Sequence, residues 1–342
     1  MRYETISLSD PRFLYRGRTV LSEDGVLSLP WSLSGFSFRF VGSGVILNQA
    51  PTKQDEPAYL RVWMDGNARR VGVKDGSEKI LLETGINGDE DSLHEVTVLR
   101  VTEGMEPLRI SSVSLSGTAP SLEARPAKAS LKLAFIGDSI TCGYGVLGPK
   151  EEPGFHTFEE DATRSYAYRT AERLGADISL AGASGKGIVA NCLGDRADMT
   201  LRQAFHWADR QGNPYVFPAE DTPDIVIVNA GTNDSWGGVQ DAEFTDTAVL
   251  FLSEIRAVYP DAPIVYCYGV MDEFKQDAVR AAVERFSANH KNVFHFPVAS
   301  MNAFPDEVGG GGHPNTNTSE RVSALLADFL RTNVLPLLKG NK

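Results

Sequence analysis

From residue 131 onward, short apolar runs alternate with segments of helical periodicity, and this alternation restricts the fold more than any other feature of the chain. "LKLAFIG" (Leu131–Gly137), "DISLAG" (Asp177–Gly182), "DIVIVNAG" (Asp224–Gly231), "PIVYCYG" (Pro263–Gly269) and "NVFHFP" (Asn292–Pro297) read as strands. Their apolar residues run nearly without interruption, the pattern of strands buried on both faces. Between them, "SYAYRTAERLG" (Ser165–Gly175) reads as a helix closed by glycine, Asp241–Tyr259 as a helix stopped by Pro260, and Lys275–His290 as another. A long helix over Thr316–Leu338 closes the series. Such alternation predicts an α/β/α three-layer domain over residues 131–342, with a parallel sheet between helices.

Residues 1–118 have a different rhythm. "FSFRF" (Phe36–Phe40), "EVTVLRV" (Glu95–Val101) and "ISSVSLSG" (Ile110–Gly117) are near period two. Turn dipeptides punctuate them at Asp24-Gly25, Asp65-Gly66, Asp75-Gly76 and Asn87-Gly88. Short strands with regular turns predict an antiparallel β-sandwich or jelly roll. "TAPSLEARPAKAS" (Thr118–Ser130) has the Ala, Pro and Ser content of a linker, placed at 119–130. A chain of 342 residues has room for both domains.

The formal net charge of −12 argues against nucleic acid or an anionic membrane as the main partner, since both want a basic face. Cys142, Cys192 and Cys267 form neither a disulfide framework nor a metal knuckle. The start, "MRYETISLSD", lacks the apolar core of a signal peptide, and no stretch approaches 18 uninterrupted apolar residues. The expectation is a cytoplasmic protein, with a secreted one whose leader has been removed as the alternative.

In open parallel sheets the ligand crevice lies beyond the carboxyl ends of the strands. The residues there are Gly137-Asp138-Ser139, "GASGKG" (Gly182–Gly187), "GTNDSW" (Gly231–Trp236) and "GGGGHPN" (Gly309–Asn315). Acyl transfer to a serine needs a nucleophile, a base, oxyanion donors and something that orients the base. Ser139 is placed as a nucleophile, although a turn or helix-capping serine has the same local sequence. Among six histidines, His94 and His295 lie in strand patterns and His206 in "FHWADR"; His156 and His290 carry no motif. His313 alone follows a glycine run that lets backbone approach other groups closely. Asn233 offers a side-chain amide and Gly185 an uncrowded backbone N–H; the bland readings are a turn Asn and a permissive loop. Trp236 suits a sugar-stacking platform or a packing role, and Tyr144 is a weaker candidate for the same contact. Asp138 reads as a structural hydrogen-bonding residue.

A cofactor reading has one hook. "GKGIVA" (Gly185–Ala190) fits G-x-G-x-x-A after a strand, but the region runs on into "FHWADRQGNP" rather than a second strand ending in an acid. "GASGKG" lacks the Ser or Thr that a phosphate loop places after its Lys, and no G-x-S-x-G surrounds Ser139 or Ser184.

Taken together, "IGDSIT", "ASGKG", "GTND" and "HPN", in that order and each at a strand or helix boundary, resemble the SGNH (GDSL-type) hydrolase superfamily. The resemblance covers roughly Leu131–Leu338. It implies an SGNH-type α/β/α domain with Ser139 as nucleophile, His313 as general base, and an oxyanion hole built from Ser139, Gly185 and Asn233. With a jelly roll in front, the chain looks like carbohydrate esterase family 2, whose members deacetylate plant polysaccharides such as xylan and glucomannan. Many SGNH hydrolases carry an Asp three residues before the catalytic His; here that position is Gly310, with Asp306 and Glu307 further upstream. Some family-2 esterases use a Ser-His dyad whose His is held by a main-chain carbonyl, and the same is expected of Ser139 and His313. The resemblance implies a carbohydrate O-acetyl esterase acting on acetylated oligosaccharide or polysaccharide, with no metal or cofactor. A lipase, thioesterase or aryl esterase is the alternative within hydrolases. A non-catalytic sugar-binding protein is the alternative from another class.

Overall fold

The computed structural model describes residues 2–53, 56–73, 79–83, 92–104, 106–150 and 156–338, with side chains left out at 81–83. The chain divides into two compact units between Lys128 and Ala129.

The first unit is all β. Among the described residues, one antiparallel sheet runs Val20–Leu21, Leu27–Leu29, Leu108–Gly117, Gly44–Gln49, Lys79–Glu83, and Arg2–Ser7 also pairs with Leu108–Gly117. The other runs Ser121–Leu122, Gly35–Val41, Leu93–Arg100, Ala58–Met64, Asn67–Val73, with Leu14–Arg16 also on Gly35–Val41. Along Ala58–Met64 buried and half-buried residues alternate strictly, the signature of a strand with one face on a core. That core is filled by Phe36, Phe38, Phe40, Leu47, Leu60, Val62, Val96, Val98, Val113 and Leu115. Asp65 and Gly66, at φ 50° and 80°, form the two-residue loop between Ala58–Met64 and Asn67–Val73, the left-handed pair a tight hairpin requires. The Asp75-Gly76 and Asn87-Gly88 signals lie outside the described residues.

The expected linker at 119–130 begins as structure. Ser121 and Leu122 pair with Val41 and Phe40, and Leu122 is buried in the sandwich core. Burial of this one apolar side chain outweighs the linker-like composition around it.

The second unit carries a five-stranded parallel sheet in the order Asp177–Gly182, Lys132–Gly137, Ile225–Asn229, Ile264–Tyr268, Val293–Pro297. Every residue of Ile225–Asn229 and Ile264–Tyr268 is buried. One face (Ala134, Ile136, Val226, Val228, Ile264, Tyr266) packs with residues of helices Asp241–Val258 and Gln276–Ser287. On the other, Phe135 meets Tyr166 edge to face, at the start of helix Tyr166–Leu174, which packs against helix Thr316–Phe329. Helix Tyr166–Leu174 has the caps its sequence announces: the Ser165 side chain accepts from Tyr168 N–H, and Gly175 ends it in the left-handed conformation.

The final helix differs from expectation. After Phe329 the chain adopts a π-helical turn over Leu330–Val334 before Leu335–Leu338. Pro336 has no N–H to offer the carbonyl of Thr332, so the regular ladder cannot run through this segment.

Candidate active site

In this strand order the chain leaves the first strand in one direction and returns on its other side, which puts the switch point between Lys132–Gly137 and Ile225–Asn229. Gly137 is in register with Gly182 on one side and Asn229 on the other. The loops that follow these three strands therefore leave the sheet side by side.

Ser139 opens the short helix Ser139–Cys142 and is almost fully buried. Asp138 caps this helix, its Oδ1 accepting from Ile140 N–H at 3.1 Å. The helix folds back so closely that a Cβ on Gly137 would lie 2.1 Å from Thr141 Oγ1 and 3.0 Å from the Asn229 carbonyl oxygen. Only glycine permits that turn, which explains why the apolar strand ends where it does.

His313 lies against Ser139. Its Nε2 is 2.9 Å from Ser139 Oγ, and its Nδ1 is 3.0 Å from the Gly311 carbonyl oxygen. A carbonyl only accepts, so Nδ1 carries the hydrogen and Nε2 is left as the acceptor facing the serine hydroxyl. The His313 backbone is itself pinned: Gly309 N–H donates to its carbonyl at 2.7 Å, and Asn315 N–H donates to Glu307 O at 3.1 Å. Asn315 then caps helix Thr316–Phe329.

Gly310, the position at which the family resemblance leads one to expect an acid, is packed against the loop after the nucleophile. Its N–H donates to the Gly145 carbonyl at 2.9 Å. A Cβ at Gly310 would lie 3.2 Å from Gly148 Cα and 3.3 Å from Gly145 O, while one at Gly145 would come within 2.1 Å of Gly310 O. A side chain at Gly310 would require the backbone of Gly145 and Gly148 to give by a few tenths of an ångström. Of the nearby acids, Glu307 is engaged by Arg321 through both oxygens at 2.7 and 2.6 Å.

Asn233 sits in helix Thr232–Trp236 and is buried. Its Nδ2 donates to Asp138 Oδ2 and to the Lys186 carbonyl, both at 3.1 Å. It thus joins the loops of all three adjacent strands. Gly185, at φ 76°, adopts the left-handed conformation in the loop after Asp177–Gly182. Ser139, His313, Asn233 and this loop are brought together as the sequence order suggested.

Trp236 and Tyr144 fare differently. Trp236 is 62% exposed at the end of its helix. The Tyr144 ring packs on the His313 imidazole, with centroids 4.3 Å apart at 39°. Tyr144 is therefore a buttress of the histidine as much as a surface for a ligand.

Asp234 had no role in the sequence reading. Fully buried, its carboxylate receives the backbone N–H groups of Ile188, Val189 and Ala190 at 3.0, 2.7 and 3.1 Å. Burial pushes this carboxyl above the usual range, and the three amides pull the other way without cancelling it. The "GKGIVA" segment thus wraps an internal carboxylate rather than opening a helix toward a phosphate. The available signal was an acid directly after Asn233, but nothing local says that its acceptors' partners lie more than forty residues away.

Among the described residues, no group of three or more His, Cys, Asp or Glu is placed to hold a metal ion, and no helix is long and apolar enough to cross a membrane.

Residues 135–331 match the GDSL-like lipase/acylhydrolase family, and residues 15–124 match the carbohydrate esterase 2 N-terminal domain. The cellulase/esterase CelE of Acetivibrio thermocellus is 27% identical over 270 residues, covering 78% of this chain but only 32% of its own length. An acetylxylan esterase/glucomannan deacetylase of Cellvibrio japonicus is 26% identical over 338 residues, covering 96% of this chain and 90% of its own. The structure of a family two carbohydrate esterase from Clostridium thermocellum in complex with cellohexaose superposes with a TM-score of 0.84 at 24% identity, covering 94% of this chain and 99% of that one.

Proposed function

The chain belongs to the GDSL-like lipase/acylhydrolase family, and on that premise we propose that it is a carbohydrate O-acetyl esterase acting on acetylated glucomannan or xylan, or on oligosaccharides derived from them. The observation that carries the chemistry is the 2.9 Å contact between Ser139 Oγ and His313 Nε2, with Nδ1 held by the Gly311 carbonyl. The pairing of an esterase-type N-terminal domain with this family, and the relative named for acetylxylan and glucomannan, support the substrate class.

In the proposed reaction Ser139 attacks the acetyl carbonyl as His313 Nε2 takes its proton. The tetrahedral oxyanion is met by the backbone N–H of Ser139, the backbone N–H of Gly185 and the amide of Asn233. One donor of this kind is worth about 10²–10³ in turnover in a serine protease. His313 then protonates the departing sugar hydroxyl, and water, activated by the same imidazole, releases acetate from Ser139. The Gly311 carbonyl takes the orienting role of a triad carboxylate: it fixes the tautomer, while offering less charge to stabilise the imidazolium. Trp236, exposed beside Asn233, supplies an aromatic face for a sugar ring.

The test is acetate release from acetylated glucomannan and xylan oligosaccharides, wild type beside Ser139→Ala. Release by the wild type and a loss on the order of 10⁴ or more in the variant are expected. No release from either substrate by the wild type overturns the reading, and faster cleavage of long-chain acyl esters would replace it with a lipase. If the protein works in the cytoplasm, short oligosaccharides are its substrates and intact polymer is cleaved more slowly.

A further inference from the structure

Asp138 is completely buried, and the proposed acylation uses none of its atoms. Its two carboxylate oxygens face different partners: Oδ1 accepts from Ile140 N–H, and Oδ2 accepts from Asn233 Nδ2, each at 3.1 Å. Oδ2 is the acceptor in this contact, and Asn233 meets it through its NH2 end. The Lys186 carbonyl, also purely an acceptor, meets the same nitrogen at 3.1 Å. Reversing the amide would set its oxygen against both acceptors. Two acceptors from two different loops thus fix which way the Asn233 amide points.

We propose that Asp138 is a positioning residue of the oxyanion hole. It holds Asn233 in the orientation that presents hydrogens rather than a carbonyl to the reacting acyl group, and the same carboxylate caps the helix that carries Ser139. The inference rests on the acyl-transfer reading above. Both hydrogens of Asn233 have protein acceptors in the resting site, at distances slightly longer than the usual 2.9–3.0 Å. The oxyanion takes a share of one of them in a three-centre bond. Asp138 therefore acts on the transition state and leaves ground-state binding of the ester alone.

A double-mutant cycle tests this, with kcat and KM for 4-nitrophenyl acetate and a thermal melt for each protein. In the wild-type background, Asp138→Ala is expected to lower kcat about 10²-fold, the worth of one oxyanion donor, with KM changed less than about threefold. In the Asn233→Ala background the same substitution is expected to lower kcat markedly less, by about tenfold or below, because only the cap on the Ser139 helix is then lost. Asp138→Asn keeps an oxygen for Ile140 N–H but no longer dictates the amide of Asn233, and is expected to fall between, about tenfold. Equal losses in both backgrounds overturn the proposal, as does a rise in KM at constant kcat. Should Asp138→Ala fail to fold, Asp138→Asn in the two backgrounds decides the same question. Wild-type activity on 4-nitrophenyl acetate without acetate release from acetylated oligosaccharides is a failure of the carbohydrate reading alone, and the cycle still decides Asp138. Absence of any Ser139-dependent ester hydrolysis overturns both.

Discussion

On the Asn233 side of the crevice, carboxylates hold the loops: Asp138 joins the nucleophile helix to Asn233, and Asp234 gathers three backbone amides of residues 188–190. On the His313 side the work is done by backbone, with Gly310 seated on Gly145 and Gly148, and Nδ1 bonded to Gly311 O. The first side is specified by charge and acceptor count and tolerates little change in polarity. The second is specified by excluded volume and tolerates little change in size. Two kinds of precision thus meet at one 2.9 Å hydrogen bond.

Restoring the missing acid tests the contrast most severely. Gly310→Asp adds the acid that the family resemblance led one to expect, yet its Cβ would meet Gly148 Cα and Gly145 O at 3.2 and 3.3 Å. The neighbouring backbone must give by a few tenths of an ångström, and the shift passed on to His313 is expected to cost up to about 10²-fold in kcat. Acetate release that stays level or rises would mean the glycine packing yields easily, and the contrast would dissolve.

Asp234→Asn probes the other side by polarity alone. Oδ1 can still serve Val189 and Ala190, but an NH2 group would face Ile188 N–H. A loss of about 1–2 kcal/mol at neutral pH is expected from urea melts. Its pH dependence has a definite sign. Because burial raises the folded-state pKa of Asp234, its contribution is fully present below the unfolded value and declines as pH rises through the folded one. The deficit of the variant should therefore be largest below the unfolded value of 3.8 and shrink as pH rises above it. A deficit that grows with pH would show that the amides, not burial, dominate.

Trp236→Ala touches neither holding device and should have the smallest effect. With an aromatic contact worth about 1–1.5 kcal/mol, KM for an acetylated oligosaccharide is expected to rise about tenfold at unchanged kcat. The melting temperature should not move, because the side chain is 62% exposed. A drop in kcat would place Trp236 inside the catalytic geometry.

Much of this arrangement was legible in the sequence, and the reasons differ by residue. The three central strands announced themselves by nearly unbroken burial, whereas Asp177–Gly182 and Val293–Pro297, at the two sheet edges, are partly half-buried. Ser139, Gly185, Asn233 and His313 stood out by their positions at the ends of those strands and before the last helix. Asp234 was invisible, since its three partners come from the loop of another strand. So was the packing at Gly310, because a sequence shows a glycine without showing the backbone that approaches it. Leu122 was read as linker because its neighbours are small and polar, while its own contact is with a strand some eighty residues away. The π turn at Leu330–Val334 had a visible cause in Pro336, though not a visible outcome.

The tether on His313 has a practical corollary. Ser139, Asn233 and the imidazole itself can be deleted by exchanging a side chain, but the oxygen that orients this imidazole belongs to the main chain at Gly311. An alanine scan would pass over it. Its contribution becomes measurable only by altering the backbone chemically: an ester in place of the amide between Gly311 and Gly312 would leave the carbonyl in position while making it a poorer acceptor.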